Sequence, residues 1–402
     1  MNIAVIIDDG ILEGGAFQYS LSQALLLKKN KDKKYNFIFL TTVKQNVNIL
    51  AGYGIKASYF NWSNLDEFFS QIGRSLLVSG IFRKLKININ NKFDRILKKQ
   101  AVDLIYFLSP SGLSLVTEKL NYVFTVWDLN FLEAMEFPEV YAKREFERRD
   151  RLYQTAIRKA IRIVTDSAIT KKRIREIYHV DEDRIILSPF LFSKSVDISE
   201  DEYAKNFLDI KKKYGINGEY IYYPAQFWPH KNHRYILEGL KILKDQYKLK
   251  INAVFSGSDQ GNLKFILNKA RELGLQEQVF YIGFAAPREI PYLYQQALAL
   301  VMPTYLGPTN IPPLEAFKLG CPVLYSDLSD LKDQVGDGVI FMDLKNPESL
   351  SQGLLKVIEH PADLDVLVKN AKIIIKKLEN ECFWPRLRDV FDDYLVKSKT
   401  WK

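Results

Sequence analysis

The sequence predicts an α/β chain of two doubly wound, Rossmann-like domains facing a shared cleft, and three observations predict it. At 402 residues the chain is too long for one ordinary core, since domains usually run to ~100–200 residues. Short apolar runs rich in β-branched residues alternate with longer stretches of helical periodicity, the pattern of parallel strands covered by helices. That alternation starts twice, on either side of a polar stretch, Ser193–Glu202, that has no apolar period. Domains are therefore expected over 1–192 and 203–380, with a separate last segment over 381–402.

In the first half the expected strands are Ile3–Ile7, Asn36–Thr41, Leu104–Phe107, Val123–Val126 and Ile163–Thr165. Helices are expected over Ala16–Lys29, with Leu21, Ala24 and Leu25 on one face, and over Tyr141–Ala160. The second half offers strands at Tyr220–Tyr223, Ile251–Ser256, Val279–Ile282, Leu298–Val301, Pro322–Tyr325 and Val339–Phe341. After Phe383-Trp384-Pro385, the spacing of Leu387, Val390, Phe391, Tyr394 and Leu395 predicts an amphipathic helix. Doubly wound sheets bind ligands outside the carboxyl ends of their strands, so the site is expected there, between the domains.

Composition narrows the class. Hydrophobic residues make up 47% and aromatic residues 13%, enough for two cores and against disorder. The aromatic excess suits packed α/β layers and sugar-contacting surfaces alike. A formal net charge of +9 attracts anions such as phosphorylated small molecules or phospholipid head groups. No recognisable nucleic-acid module accompanies it, so nucleic acid is not an expected partner. The basic run Arg83-Lys84-Leu85-Lys86, continued by Lys92, Arg95, Lys98 and Lys99, suits peripheral contact with an anionic membrane or a solvated helical face. The two cysteines, Cys321 and Cys382, have no metal-ligand spacing, and a reducing compartment fits them. The N-terminus reaches Asp8 and Asp9 before any long apolar run and reads as a buried strand rather than a signal peptide. No window offers the ~20 apolar residues of a spanning helix, and a cytoplasmic protein is expected.

Candidate chemistry gathers at strand ends. Gly14 and Gly15 follow the first strand and open a helix; they serve as a turn or as a loop for a phosphate or acceptor. Gly307-Pro308-Thr309-Asn310-Ile311-Pro312-Pro313-Leu314-Glu315 follows the strand at Leu298–Val301, and its double proline suits the first turn of a helix whose free N–H groups would hold a diphosphate. Glu315, one turn in, either accepts the vicinal hydroxyls of a ribose or answers the helix dipole. Gln226 and Lys231 follow the strand Tyr220–Tyr223, and a lysine there stabilises a leaving diphosphate. The four histidines, His179, His230, His233 and His360, make no zinc pattern. Asp181-Glu182-Asp183 reads as a turn before a strand rather than a metal site.

These residues resemble the retaining glycosyltransferases of family 4, glycosyl transferases group 1, over nearly the whole chain and most strongly from Tyr220 to Asp343. The resemblance implies the GT-B fold, with a final helix crossing back to the first domain. It also implies transfer of a sugar from a UDP-, GDP- or dTDP-linked donor to a glycan or lipid-linked acceptor, without cofactor or metal, in bacterial surface polysaccharide synthesis. The family carries two glutamates with seven residues between them; Glu315 matches the second and Gly307 stands at the first. Thr309, Asn310, Ile311 and nearby amides are then left to meet the sugar. The family's arginine and lysine pair corresponds to Gln226 and Lys231, and Gly283-Phe284 to the loop that cups the nucleobase. Trp127-Asp128-Leu129 and Phe137-Pro138-Glu139 resemble its His-Asp-Leu and Phe-Pro-Glu signatures, with Trp127 on the acceptor side in place of the histidine. Lys231, Glu315 and Asp128 are the catalytic residues the resemblance implies. Loss of the glutamate and the histidine also fits a catalytically silent subunit that binds donor as a scaffold.

Overall fold

A computed structural model describes the chain except for residues 12–13, 64, 67–90, 308, 381–382 and 402. The basic run at Arg83–Lys86 lies outside the described residues. By contacts the chain divides into two units: Met1–Leu129, Arg144–Pro189 and Cys382–Lys402 form one, and Asn130–Lys143 with Phe190–Glu381 form the other.

The first unit carries a parallel sheet of β1 (Asn2–Ile6), β2 (Asn36–Thr41), β3 (Ala57–Tyr59), β4 (Leu104–Phe107), β5 (Tyr122–Val126), β6 (Arg162–Thr165) and β7 (Ile185–Leu187), ordered β3-β2-β1-β4-β5-β6-β7. The order reverses between β1 and β4, which makes the loops after those strands the topological switch point. Ile3 to Ile7 are wholly buried, as a strand covered on both faces requires. The last helix, Phe383–Ser398, belongs to this unit: Trp384 and Phe391 meet Tyr35 and Phe37 at ring distances of 5.6–6.1 Å. Tyr394 donates to the Asp103 carbonyl at 3.1 Å. Lys92–Lys99 is a helix capped by Asn91, with Phe93 and Leu97 inward and Arg95, Lys98 and Lys99 exposed, a solvated basic face over an apolar one.

The second unit repeats the plan with β8 (Tyr220–Pro224), β9 (Asn252–Ser256), β10 (Val279–Tyr281), β11 (Ala299–Met302), β12 (Val323–Ser326) and β13 (Ile340–Met342), ordered β10-β9-β8-β11-β12-β13 and wholly parallel. Its switch point lies between β8 and β11, and the register pairs Ala299 with Ile221. Each unit is thus a doubly wound, Rossmann-like layer of parallel strands covered by helices.

Two expectations change. The helix expected over Tyr141–Ala160 is broken, because Lys143 (φ 55°) and Arg144 (φ 62°) are left-handed. A short turn Pro138–Tyr141 precedes the break and the long helix starts at Glu145. The break coincides with the return of the chain from the second unit to the first. The stretch Ser193–Glu202 is also more than a connector: Val196 is buried in the second core, and Ser199 caps the helix Glu200–Lys205. Its serines serve as caps and buried donors, a use that polarity alone does not distinguish from a loop.

The strand-end loops of the second unit touch laterally. Gly257 has φ 142°, and a Cβ there would lie 2.6 Å from the Ala225 carbonyl carbon and 2.8 Å from the Gln226 nitrogen. Gly257→Ala should therefore shift the 225–228 loop and cost about 1–3 kcal/mol, read as a lower urea midpoint with an unchanged circular dichroism spectrum.

Candidate functional site

In the second unit the loops after β8, β9, β10 and β11 meet at the carboxyl edge of the sheet. Phe227 N–H donates to Ser258 O at 3.0 Å and Gly257 N–H to Gly283 O at 2.8 Å, so the Gln226 loop, the Gly257 turn and the Gly283 turn form one surface. Gly283 has φ 70°, and Phe284 beside it is 47% exposed, an unusual position for a phenylalanine and a suitable one for stacking. Gln226 accepts from the Trp228 indole at 2.9 Å.

Lys231 ends a single 3-10 turn, Pro229–Lys231, before the helix His233–Gln246. Its main chain is fixed twice, by donation from its own N–H to Trp228 O at 3.0 Å and by the Tyr223 hydroxyl donating to its carbonyl at 2.8 Å. Asn232 turns the chain in a left-handed conformation (φ 56°), which asparagine tolerates. The ammonium reaches Asn310 Oδ1 at 3.4 Å, bringing the two anion-friendly loops together across the switch point.

Asn310 stands at the N-cap position of the helix Ile311–Leu319, without a side-chain capping bond, and is held on several sides. Gln334 accepts from its main-chain N–H at 2.9 Å and donates to its carbonyl at 2.6 Å. Its side-chain amide donates to Gly307 O at 3.0 Å and to the Tyr325 hydroxyl at 2.6 Å. Gly307 has φ 107°, and a Cβ there would meet the Asn310 amide at 3.0–3.4 Å. Any larger residue at 307 in this conformation competes with the Asn310 side chain for space, so the glycine and the asparagine go together.

Two sequence expectations need correction. The helix N-terminus offers fewer N–H groups than its position suggests. Asn310 gives its own to Gln334, and Pro312 and Pro313 carry none, so of the first turn Ile311 remains, with the helix dipole behind it. Glu315 is 7% exposed, and its Oε2 accepts from the buried Tyr294 hydroxyl at 2.7 Å. Burial raises its carboxyl, and hydrogen bonds from Ser193 and Tyr294 oppose the rise. It is a largely buried acceptor fixed by a tyrosine and a serine, which leaves only its remaining lone pairs for a further hydroxyl. Thr309 lies one residue before the cap, in a bend.

Asn130–Lys143 belongs to this unit, and it brings Glu139 to the turn that carries Lys231. Glu139 Oε1 accepts from His230 Nδ1 at 2.5 Å and from His230 N–H at 3.1 Å. Burial works to raise the Glu139 carboxyl, but hydrogen bonds from the His230 ring and from main-chain N–H groups outweigh it and hold the group below the usual carboxylate range. His233, by contrast, is wholly buried and stacked on Phe227 at 4.2 Å; burial pushes it down to about 3, so it is a neutral core residue.

In the first unit, Gly14 (φ 65°) precedes the helix Gly15–Lys28, which starts with no side-chain cap and no acid in its first turn. Nothing lies within 4 Å of a Cβ at Gly14, so backbone conformation rather than space calls for glycine there. Asp128 accepts from Arg149 at 2.9 Å, and the Trp127 indole N–H is buried without a hydrogen-bond partner among the described residues. Sequence reasoning passed over two further carboxyl groups at strand ends here. Asp8, after β1, accepts from Ser109 at 2.8 Å and from Ser111; burial raises its carboxyl against those two bonds. Asp166, after β6, is raised well above the usual range by burial, with the Asp128 charge adding to the rise. Their signal was available: each acid directly follows the apolar run of a strand. Elsewhere Glu182 of the Asp181–Asp183 string pairs with Lys171 and Arg175, both at 3.2 Å, in a turn.

The architecture thus defines a class, the GT-B fold. A structure of HepE from Anabaena with UDP and glucose superposes with a TM-score of 0.71 at 16% identity, covering 98% of this chain and 100% of that one. The structure of WaaG, a glycosyltransferase involved in lipopolysaccharide biosynthesis, does so with a TM-score of 0.67 at 14% identity, covering 98% and 99%. More particularly, residues 206–373, within the second unit, match the glycosyl transferases group 1 model. Among curated proteins, O-antigen chain mannosyltransferase B of Escherichia coli is 25% identical over 225 residues, 55% of this chain and 58% of that protein. O-antigen chain mannosyltransferase RfbU of Salmonella typhimurium is 25% identical over 243 residues, 60% and 62%. The chain thus spans about three fifths of the length of these two relatives.

His233 makes a titration prediction. Its proton affinity is lower folded than unfolded, so the unfolded chain takes up the extra proton, and the stability it contributes is complete above about 6.5 and lost as pH falls from there toward about 3. Urea unfolding of the parent and of His233→Phe across that range should show the parent losing up to ~1.4 kcal/mol per pH unit more than the variant; parallel curves would contradict it.

Proposed function

We propose that the chain is a retaining glycosyltransferase that moves a sugar from a nucleoside-diphosphate donor to a glycan or lipid-linked glycan, without a metal ion, in bacterial surface polysaccharide synthesis. The observation that carries this reading is the approach of Lys231 to Asn310 across the switch point of the group 1 domain. Two strand-end loops thereby converge a cation, a helix N-terminus and a neutral amide on one spot, which suits a diphosphate with a sugar attached. Lys231 and the Ile311 N–H stabilise charge on the leaving diphosphate. Glu315, fixed by Tyr294 and Ser193, accepts ribose hydroxyls with its remaining lone pairs. Phe284 offers its exposed ring to the base beside Gly283, and Thr309 and Asn310 meet the sugar.

With little charge to spare for a separate base, the leaving phosphate itself assists deprotonation of the acceptor on the same face. In the first unit Gly14, Gly15, Trp127 and Asp128 serve the acceptor. The O-antigen mannosyltransferase relatives support a mannosyl or related hexosyl donor, and the superposed HepE complex with UDP supports a nucleotide-linked one. Among the described residues no helix is long and apolar enough to cross a membrane; the reading places the protein in the cytoplasm, with peripheral contact at an anionic membrane face. Gly307 and Trp127 favour a second reading, a donor-binding subunit without turnover.

Calorimetry with UDP-, GDP- and dTDP-sugars is expected to give saturable binding of one donor in the presence of EDTA, weakened about tenfold or more in Lys231→Ala and also weakened in Glu315→Ala. Binding that survives both substitutions would sink the site. Sugar release or transfer by the parent separates the enzyme from the silent subunit. Gly307→Glu is expected to weaken donor binding, because the new side chain displaces Asn310; stronger binding would show that the glycine is a simple loss.

A further inference from the structure

We propose that Glu139 is a positioning residue of the donor-phosphate site, acting on Lys231 through His230. The inference rests on the donor-site reading and assigns a role to a segment, Asn130–Lys143, that sequence order keeps with the first domain. One carboxylate oxygen of Glu139 accepts both the ring Nδ1 proton and the main-chain N–H of His230, the residue before Lys231. On the other side of the same residue, Tyr305 N–H donates to His230 O at 2.9 Å. The turn is thus clamped from two directions, and the Tyr223 hydroxyl holds the next carbonyl. Phe137 closes the arrangement with its ring 6.1 Å from the His230 ring and 5.7 Å from that of Tyr305.

A turn of three residues has little stiffness of its own, since it makes only two i→i+3 main-chain bonds, from Lys231 N–H to Trp228 O and from Asn232 N–H to Pro229 O. Lys231 has a long side chain with about 2 kcal/mol of rotamer freedom. Fixing its main chain is therefore the available way to aim its ammonium at Asn310, and Glu139 supplies the charged part of that fixing. The second oxygen of Glu139, Oε2, is buried without a hydrogen-bond partner among the described residues. The carboxylate also requires Nδ1 to carry its proton, which fixes the tautomer and the orientation of the ring.

The test is a double-substitution cycle on the full chain, with binding of UDP and GDP measured beside uridine and guanosine. Glu139→Ala is expected to lower diphosphate affinity about five- to tenfold, the net worth of one ordinary hydrogen bond because the effect is passed on through the turn, while nucleoside affinity stays within about twofold. Glu139→Gln, which keeps an acceptor at the same place, should recover most of the loss. In a Lys231→Ala background Glu139→Ala should add nothing further, because the effect runs through the lysine. If Glu139→Ala melts early, His230→Ala removes the same link and is expected to reproduce the pattern. Additive losses, or equal losses for nucleosides and diphosphates, would overturn the positioning role and leave the donor site standing. Failure of the unaltered chain to bind either diphosphate, or indifference to Lys231→Ala, would overturn both.

Discussion

The lateral fusion of strand-end loops in the second unit is the constraint on which the site depends. A parallel sheet leaves its carboxyl ends as separate loops, each free to move alone. Here Gly257, at φ 142°, lets the turn after β9 lie against Ala225 and Gln226, and hydrogen bonds carry the contact on to Ser258 and Gly283. With those loops joined, the turn bearing Lys231 has a rigid side to lean on, and its distance to Asn310 becomes a property of the sheet. The β8–β11 pairing fixes the other side, since both loops leave adjacent strands at the switch point.

Around that frame the chain uses neutral groups where charge would be costly. Asn310 is saturated by Gln334, Gly307, Tyr325 and Lys231, and the left-handed glycine at 307 gives its amide room. The double proline shapes the first turn of the helix Ile311–Leu319 but removes two donors from it. What positive character remains at that edge comes from the Lys231 ammonium beside Asn310 and from the aligned dipoles of the helix. Buried carboxyl groups are likewise answered locally: Glu315 by Tyr294 and Ser193, Glu139 by His230, Asp8 by two serines. In each case the partner comes from a different element, so the polar contacts also lock elements to one another.

The first unit follows the same economy. Asp8, Asp128 and Asp166 stand at the carboxyl ends of β1, β5 and β6, with Arg149 paired to Asp128. The last helix, Phe383–Ser398, closes this unit by an aromatic cluster of Tyr35, Phe37, Trp384 and Phe391, an apolar seam between distant parts of the chain.

The amino-acid sequence by itself determined the α/β class, nearly every strand and the strand-end placement of Lys231, Asn310 and Gly283. Those follow from local periodicity and from turn chemistry, both written in neighbouring residues. It also marked the amphipathic last helix. The short strands β3 and β7 escaped, because three residues carry too little period to stand out. Only the tertiary structure decided that Lys143 and Arg144 break a helix, that Asn130–Lys143 serves the second unit, and that Glu315 is turned to Tyr294. The physical reason is the same each time: these are hydrogen bonds and backbone conformations set by partners tens of residues away, and no local pattern encodes which partner will be met.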